Sequence, residues 1–217
     1  MATFVLIHGG GSTGWDWHLV AQELRARGHE AIAPDLPSTD ETKNLDDYAD
    51  AVAAAVGARS DVVVVGHSLG GLTAPLVCQR IPVRLLVLVT AMIPQPGETG
   101  MEWWSATGQD AATADTGYSE HETFFHDVPA DLVAKAEKQA TGQAAAAMEQ
   151  PWPAKAWPQV ETRFVLCRDD RLFPADWMRS LVKRRLEITP DEMDGGHYVA
   201  LSRPVELAER LSGYLEQ

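Results

Sequence analysis

Short apolar runs alternate along the chain with longer segments in which apolar residues recur every three or four positions. Six runs are predicted to be strands, at residues 4–7, 30–33, 62–65, 85–89, 163–166 and 185–188. Several are apolar at every position, which is typical of parallel strands covered on both faces. Helices are predicted near residues 17–27, 44–57, 69–80, 176–184 and 204–216. This alternation predicts an α/β fold with an open, mostly parallel sheet of about six strands and helices on both faces.

One stretch interrupts the alternation. Residues 94–158, called the inserted segment below, contain no convincing strand, and an alanine-rich run after Pro129 predicts a helix there. We expect a single domain over residues 1–217, with a core of residues 1–93 and 159–217. Because insertions at strand ends often carry function, the inserted segment is predicted to be a helical lid over a site. A loosely packed surface excursion is the alternative.

Composition limits the classes of partner. The 217 residues suit one domain, and a formal net charge of -13 repels nucleic acid and anionic lipid. No apolar run reaches the roughly 18 residues needed to span a membrane, and the first residues lack the features of a signal peptide. Cys78 and Cys167 are expected to stay reduced. A cytoplasmic protein is therefore expected.

A serine motif follows the strand predicted at 62–65. The sequence Gly66-His67-Ser68-Leu69-Gly70-Gly71 has the form G-x-S-x-G between a strand and a helix. A serine on so sharp a turn has a crowded backbone, so that small residues are needed two positions before and after it. The turn holds the hydroxyl at a helix N-terminus, where negative charge is favoured. Ser68 is predicted to be a nucleophile; the alternative is a glycine-rich connection whose serine merely caps the helix.

A serine hydroxyl needs a base, and the base needs an orienting acid. The chain order expected for such a strand–turn–helix motif is serine, acid, histidine. Among the seven histidines only His197 follows the last predicted strand, in the flexible sequence Asp194-Gly195-Gly196-His197. His197 is therefore predicted to be the base, the alternative being a surface histidine.

The acid is expected after the strand predicted at 163–166, where Asp169 and Asp170 compete. Asp170 is preferred because it stands four residues before Pro174, in a D-x-x-x-P arrangement. Asp169 is expected to face solvent or to pair with a neighbouring arginine, Arg168 or Arg171.

Glycines after the first strand supply the remaining part of the predicted site. In His8-Gly9-Gly10-Gly11 the Gly10 N–H, together with the Leu69 N–H, is predicted to form an oxyanion hole. Neither a phosphate loop nor a dinucleotide motif fits, because no G-x-x-x-x-G-K-[ST] and no G-x-G-x-x-G is present. No metal or organic cofactor is implied.

These motifs resemble the α/β-hydrolase superfamily, and more closely the branch that holds methylesterases, hydroxynitrile lyases and small bacterial esterases. The resemblance runs nearly from end to end. It is carried by residues 4–9, Trp15-Asp16-Trp17, Pro34-Asp35-Leu36, the serine motif, Phe124-Phe125-His126-Asp127-Val128, Asp170 to Pro174, and Gly195-Gly196-His197. It implies an α/β-hydrolase fold and a small-molecule ester substrate.

The expected reaction is hydrolysis of a small to medium hydrophobic ester through an acyl-enzyme. Pocket walls are expected from Gly9, Trp15, His67, Trp103, Trp104, Phe124, Phe125, Trp152 and Tyr198. One alternative is a small-molecule binding or receptor protein on a hydrolase scaffold. A hydroxynitrile lyase is disfavoured, because Gly9 and Tyr198 stand where the cyanohydrin-cleaving members have threonine and lysine. The oligomeric state stays open, with a homodimer as one alternative.

Overall fold

The computed structural model describes residues 1–216 of the chain. Its strands are β1 (Thr3–Ile7), β2 (Glu30–Ile32), β3 (Val62–His67), β4 (Leu85–Val89), β5 (Thr162–Cys167) and β6 (Asp191–Met193). They form one sheet in the order β2-β1-β3-β4-β5-β6, and all neighbouring strands are parallel. The predicted six-stranded parallel sheet is thereby confirmed.

Eleven α-helices are present in residues 1–216. They are α1 (His18–Ala26), α2 (Leu45–Val56), α3 (Gly70–Val77), α4 (Gly100–Thr107), α5 (Gln109–Thr113), α6 (Glu120–Phe125), α7 (Ala130–Gln139), α8 (Ala146–Glu149), α9 (Ala175–Leu186), α10 (Val199–Ser202) and α11 (Pro204–Gly213), and a 3-10 turn spans Gly14–Trp17. None of these helices is both long and apolar enough to cross a bilayer.

Burial of both sheet faces explains the uninterrupted apolar runs. In β3 the side chains of Val62 and Val64 belong to an apolar cluster with α2, α3 and α9. Val63 and Val65 belong to a second cluster with α1 and α11. Successive side chains of a strand point to opposite faces, so every residue of β3 is buried. The carboxyl end of this strand is therefore held rigidly where the serine motif begins.

The strand predicted at 185–188 is wrong. Helix α9 continues to Leu186 and ends at Glu187, whose backbone is left-handed with φ of 60°. Leu186 packs against the apolar cluster that contains α9 residues Leu181 and Val182, at helical spacing. The sixth strand is the short, polar Asp191–Met193, which lies at the edge of the sheet. An edge strand with so few apolar residues gives no hydrophobic signal in the sequence.

The inserted segment supplies helices α4 to α8 and packs against the core. Trp103 is fully buried in the apolar cluster shared with α9, and its indole N–H donates to the Ile93 carbonyl over 3.0 Å. Near its other end, the Thr141 N–H donates to the Gly11 carbonyl over 2.9 Å. The segment is thus tied to the glycine-rich loop after β1.

A buried ion pair joins α9 to the start of the inserted segment. The Arg185 guanidinium donates to both carboxylate oxygens of Glu98 over 2.6 Å each, and the two side chains are 4% and 10% exposed. Removing one partner of such a pair leaves an uncompensated charge in the interior.

We expect Glu98→Gln to lower the free energy of unfolding by about 3 kcal/mol, measured by urea denaturation. Glu161→Gln is the matched control, because Glu161 pairs with Arg163 at the surface and such exposed pairs contribute about 1 kcal/mol or less. Equal effects of the two substitutions would contradict the assignment of a stabilising role to the buried pair.

Candidate active site

Steric crowding fixes the turn that carries Ser68 between β3 and α3. The Ser68 backbone is left-handed, with φ of 52°. A Cβ on Gly66 would lie 2.7 Å from the Ala74 Cβ, and one on Gly70 would lie 2.7 Å from the His8 carbonyl oxygen. Both positions therefore exclude any side chain. The strained turn is possible only because glycine stands on both sides of the serine.

The side chains predicted as base and acid meet Ser68 at the carboxyl edge of the sheet. His197 Nε2 lies 2.9 Å from the Ser68 Oγ, and His197 Nδ1 lies 2.9 Å from the Asp170 Oδ2. Asp170 and His197 are 4% and 1% exposed, whereas Ser68 is half-buried. A continuous hydrogen-bonded chain thus runs from a buried carboxylate to an accessible hydroxyl.

Asp170 keeps its charge in spite of its burial. The Leu172 and Phe173 N–H groups donate to its Oδ1 over 2.8 and 2.9 Å, and the Thr90 hydroxyl donates to its Oδ2. Burial by itself raises the pKa of Asp170, but the His197 charge and these hydrogen bonds together lower it below its ordinary value. Thr90 went unnoticed in the sequence, where a threonine one residue after a strand carries no motif.

Asp169 has a different position. It is exposed, as expected, but its Oδ2 accepts the Gly195 N–H over 3.0 Å. The expected pairing with an arginine is not seen in the described residues, where Arg168 pairs with Asp194 and Glu192. Asp169 therefore holds the loop that carries His197.

Two further side chains fix this loop. The His67 Nε2 lies 2.8 Å from the His197 carbonyl oxygen, which can only accept, so His67 carries a proton on Nε2. Burial, followed by the charge of His197, lowers the pKa of His67 to about 3. From the inserted segment, the Asp127 Oδ2 accepts the Gly196 N–H over 2.7 Å. A Cβ on Gly196 would lie 2.6 Å from the Asp127 Oδ1.

The glycine loop after β1 is fixed by His8. The Leu36 N–H donates to the His8 Nε2 over 3.0 Å, so the proton lies on Nδ1, which donates to the Gly9 carbonyl over 2.8 Å. Burial lowers the pKa of His8 and so favours this neutral form. Within residues 1–216 neither the Gly10 nor the Leu69 N–H donates to a protein acceptor. Both amides are therefore available to a ligand.

A cavity of about 460 Å³ opens beside these residues. Its lining comes from the glycine loop and 3-10 turn, from α6 and α7, and from the residue after His197: Gly10, Gly11, Ser12, Asp16, Glu120, His121, Phe124, Phe125, Ala136, Glu137, Ala140, Thr141 and Tyr198. The Phe124 ring packs edge-on against the His197 imidazole, with centroids 5.5 Å apart. Phe124 and Tyr198 therefore connect the cavity wall to the His197 imidazole, whereas Ser68 and His197 are not themselves among the lining residues.

Several of the predicted pocket residues lie elsewhere. Phe124, Phe125 and Tyr198 line the cavity. The four predicted tryptophans are corrected: Trp103 and Trp152 are core residues, 0% and 2% exposed, Trp104 packs on Trp103, and Trp15 stacks on His18. Gly9 and His67 are buried next to Ser68 and do not line this cavity. Trp103 still supports the site indirectly. It packs on Phe173, and the ring centroids of Phe173 and His197 are 5.2 Å apart.

Asp16 is a second buried carboxylate at this site. It is 5% exposed, and its Oδ2 is buried without a hydrogen-bond partner in residues 1–216. Burial raises the pKa of Asp16 to about 6, although the Ser12 hydroxyl acts in the opposite direction. In the sequence Asp16 stood out only as part of Trp15-Asp16-Trp17.

Comparisons with known proteins show the family to which the chain belongs. A model of the alpha/beta hydrolase family matches residues 4–210. The probable esterase PIR7A of Oryza sativa subsp. indica is 40% identical over 108 residues, which are 44% of this chain and 41% of that protein. The match therefore spans less than half the length of that relative. Methyl jasmonate esterase 1 of Vitis vinifera is 24% identical over 254 residues, covering 98% of this chain and 96% of that protein.

Among solved structures, the chain is similar to a pyrethroid hydrolase from Sphingobium faniae JZ-2. The TM-score is 0.83 at 23% identity, and the match covers 99% of this chain and 97% of the other. This likeness extends over the whole sheet and the inserted segment, and it shows a common fold.

The unpartnered Asp16 carboxylate predicts a pH-dependent gain in stability for Asp16→Asn. The folded protein keeps the Asp16 proton up to about pH 6, whereas the unfolded chain releases it near 3.8. Stability is therefore lost as the pH rises through this window. One pKa unit corresponds to about 1.4 kcal/mol, so the variant should gain up to about 3 kcal/mol at pH 7.5 and little at pH 3.5. Urea denaturation at both pH values measures this difference.

Asp110→Asn, at an exposed position of α5, is the matched control and should show no such pH-dependent gain. A gain for Asp16→Asn that is the same at both pH values would contradict a proton-linked origin.

Proposed function

The chain belongs to the alpha/beta hydrolase family, and on that basis we propose that it is an esterase which forms an acyl-enzyme on Ser68. The observation that carries the proposal is the hydrogen-bonded chain Ser68–His197–Asp170, with 2.9 Å at each imidazole nitrogen. Nucleophile, base and orienting acid in this order are what acyl transfer from an ester requires.

In the first step the Ser68 Oγ attacks the ester carbonyl carbon while its proton passes to the His197 Nε2. Asp170 accepts from the Nδ1–H, holds the imidazole in the productive tautomer and stabilises the imidazolium that forms. The oxyanion is received by the N–H groups of Gly10 and Leu69, which are free of protein acceptors in the described chain.

Collapse of this intermediate breaks the bond between carbonyl carbon and alcohol oxygen. His197 donates its proton to the leaving alcohol, and the acyl group stays on Ser68. Water then attacks the acyl carbon, gives its proton to His197 and releases the carboxylic acid, with the proton returned to the serine. No net oxidation or reduction occurs, so ester and water yield acid and alcohol.

The substrate class is supported by the cavity and by the relatives. About 460 Å³ accommodates a small to medium molecule, and the rings of Phe124, Phe125 and Tyr198 give it apolar walls. The relatives named above act, by their names, on methyl jasmonate and on pyrethroids. We therefore propose carboxylic esters with hydrophobic parts as the substrates.

The two alternatives raised by the sequence have weaker support. A binding protein has no need of a serine hydroxyl bonded to a buried, oriented imidazole. A hydroxynitrile lyase lacks its expected cation and hydroxyl, since Gly9 has no side chain and Tyr198 is an uncharged phenol whose pKa is raised by burial. Neither alternative is proposed.

We expect Ser68→Ala to lower the rate of p-nitrophenyl acetate hydrolysis by about three orders of magnitude or more, since the acyl-enzyme can no longer form. A serine-directed fluorophosphonate should label the wild-type protein once, at Ser68, and mass spectrometry of the labelled peptide locates the site.

Ser180→Ala, at an exposed serine of α9, is the matched control and should retain activity and labelling. Undiminished turnover by Ser68→Ala would refute the proposal. A folded wild-type protein that neither turns over esters nor reacts with the fluorophosphonate would favour the binding protein.

A further inference from the structure

Asp16 has no function in the mechanism above, yet it is one of the residues that line the cavity beside the proposed active site. Asp16 is only 5% exposed, and its Oδ2 is buried without a hydrogen-bond partner in residues 1–216. Buried polar atoms are nearly always hydrogen-bonded, and an orphan at a ligand cavity points to a partner that the ligand supplies.

No hydroxyl group of residues 1–216 donates a hydrogen bond to the Asp16 Oδ2. The Ser12 hydroxyl lies close enough to lower the pKa of Asp16, but it donates to the Gly9 carbonyl over 3.3 Å. The charge of Asp16 in turn contributes to the raised pKa of Tyr198. Asp16 therefore has the Ser12 hydroxyl and the Tyr198 phenol as neighbours, but no positively charged side chain of the described residues pairs with it.

The other acidic side chains of the cavity wall are negatively charged, like Asp16. Glu120 and Glu137 also line it, and none of its described lining residues is a lysine or an arginine. The imidazole of His121 is the other titratable group in the lining besides Tyr198. Around these carboxylates stand the aromatic rings of α6 and Tyr198, and the negative faces of such rings attract cations.

We propose that this cavity binds a protonated amine of the substrate, with Asp16 accepting its N–H, so that amino esters are the preferred substrates. This inference rests on the proposed esterase function and narrows its substrate class. A neutral hydroxyl could satisfy Asp16 alone, but it would leave the two glutamates beside an aromatic cavity without any positive partner.

The arrangement allows one molecule to reach both groups. Gly10 lines the cavity, and a Cβ on the preceding Gly9 would lie 3.0 Å from the Ser68 Cβ. Phe124, another lining residue, contacts the His197 ring. An ester held at Ser68 is therefore next to the Gly10 and Phe124 parts of the wall to which Asp16 also belongs, and the amine is assigned to the part of the substrate that extends into this cavity.

The test compares esters that differ only in charge. 2-(Dimethylamino)ethyl phenylacetate is paired with its isostere 3-methylbutyl phenylacetate, and methyl 4-(dimethylamino)butanoate with methyl 5-methylhexanoate, so that the amine is placed in the alcohol or in the acyl half. In at least one pair, kcat/KM of the wild-type protein at pH 7.5 should favour the amine on the order of tenfold. In Asp16→Asn this ratio should fall to about one. The ratio cancels any change in the chemical step that both esters share.

Substitutions at exposed positions test the inference even if Asp16→Asn fails to fold. Glu120→Gln combined with Glu137→Gln should reduce the amine preference by a smaller factor, because both side chains are exposed and screened by water. Glu209→Gln removes an exposed carboxylate of α11 outside the cavity lining, and it should leave the preference unchanged.

Three outcomes would overturn the inference: equal kcat/KM within both pairs, an amine preference retained in Asp16→Asn, or a preference for 3-hydroxy-3-methylbutyl phenylacetate over the amine. In each of them the esterase function stands, because esters are still cleaved. If no ester is cleaved, the esterase proposal fails by itself. Calorimetric titration of Ser68→Ala with the same pairs then decides the inference, since tighter binding of the amine supports it and equal binding refutes it.

Discussion

The buried hydrogen bond between the Asp170 carboxylate and the His197 imidazole is the interaction on which the site depends. A carboxylate with so little exposure would be neutral without compensation, because burial disfavours its charge. Two backbone N–H groups, the Thr90 hydroxyl and the imidazole supply that compensation. They come from the residue after β4, from the loop after β5 and from the loop after β6. The parallel sheet is therefore required for this arrangement as well as for stability, since its carboxyl edge brings these segments together.

The imidazole is fixed as much through its backbone as through its ring. The loop before it is held by Asp169 from the core and by Asp127 from the inserted segment, and its carbonyl is held by His67. One of these partners belongs to the serine motif itself, so a displacement of the serine turn would also displace His197. The contact from Asp127 means that the inserted segment takes part in positioning His197 in addition to lining the cavity.

Two buried aspartates at one site show opposite responses to the same desolvation. Asp170 has four donors and a lowered pKa, whereas Asp16 has an unpartnered oxygen and a pKa raised to about 6. The first is stabilised by the fold, and the second weakens it at neutral pH. Such local losses of stability are typical of positions that a ligand completes.

The sequence by itself determined the parallel sheet and the serine turn. Continuous valine runs must be buried on both faces, and the crowding at Ser68 involves residues within a few positions of the motif, so local pattern was sufficient. His197 and Asp170 were predicted as base and acid from their order along the chain and from neighbouring glycine and proline, and the structure brings both side chains together with Ser68.

Only the tertiary structure decided the sixth strand, the partners of Asp170 and the walls of the cavity. The edge strand has almost no apolar residue from which the sequence could predict it. Thr90 is distinguished only by its contact with Asp170, 80 positions away in the chain. Aromatic residues are equally suited to a core and to a pocket. The sequence therefore could not show that Trp103 lies in the core whereas Phe124 lines the cavity. The direction in which a side chain points depends on packing between distant segments, and local periodicity does not contain that information.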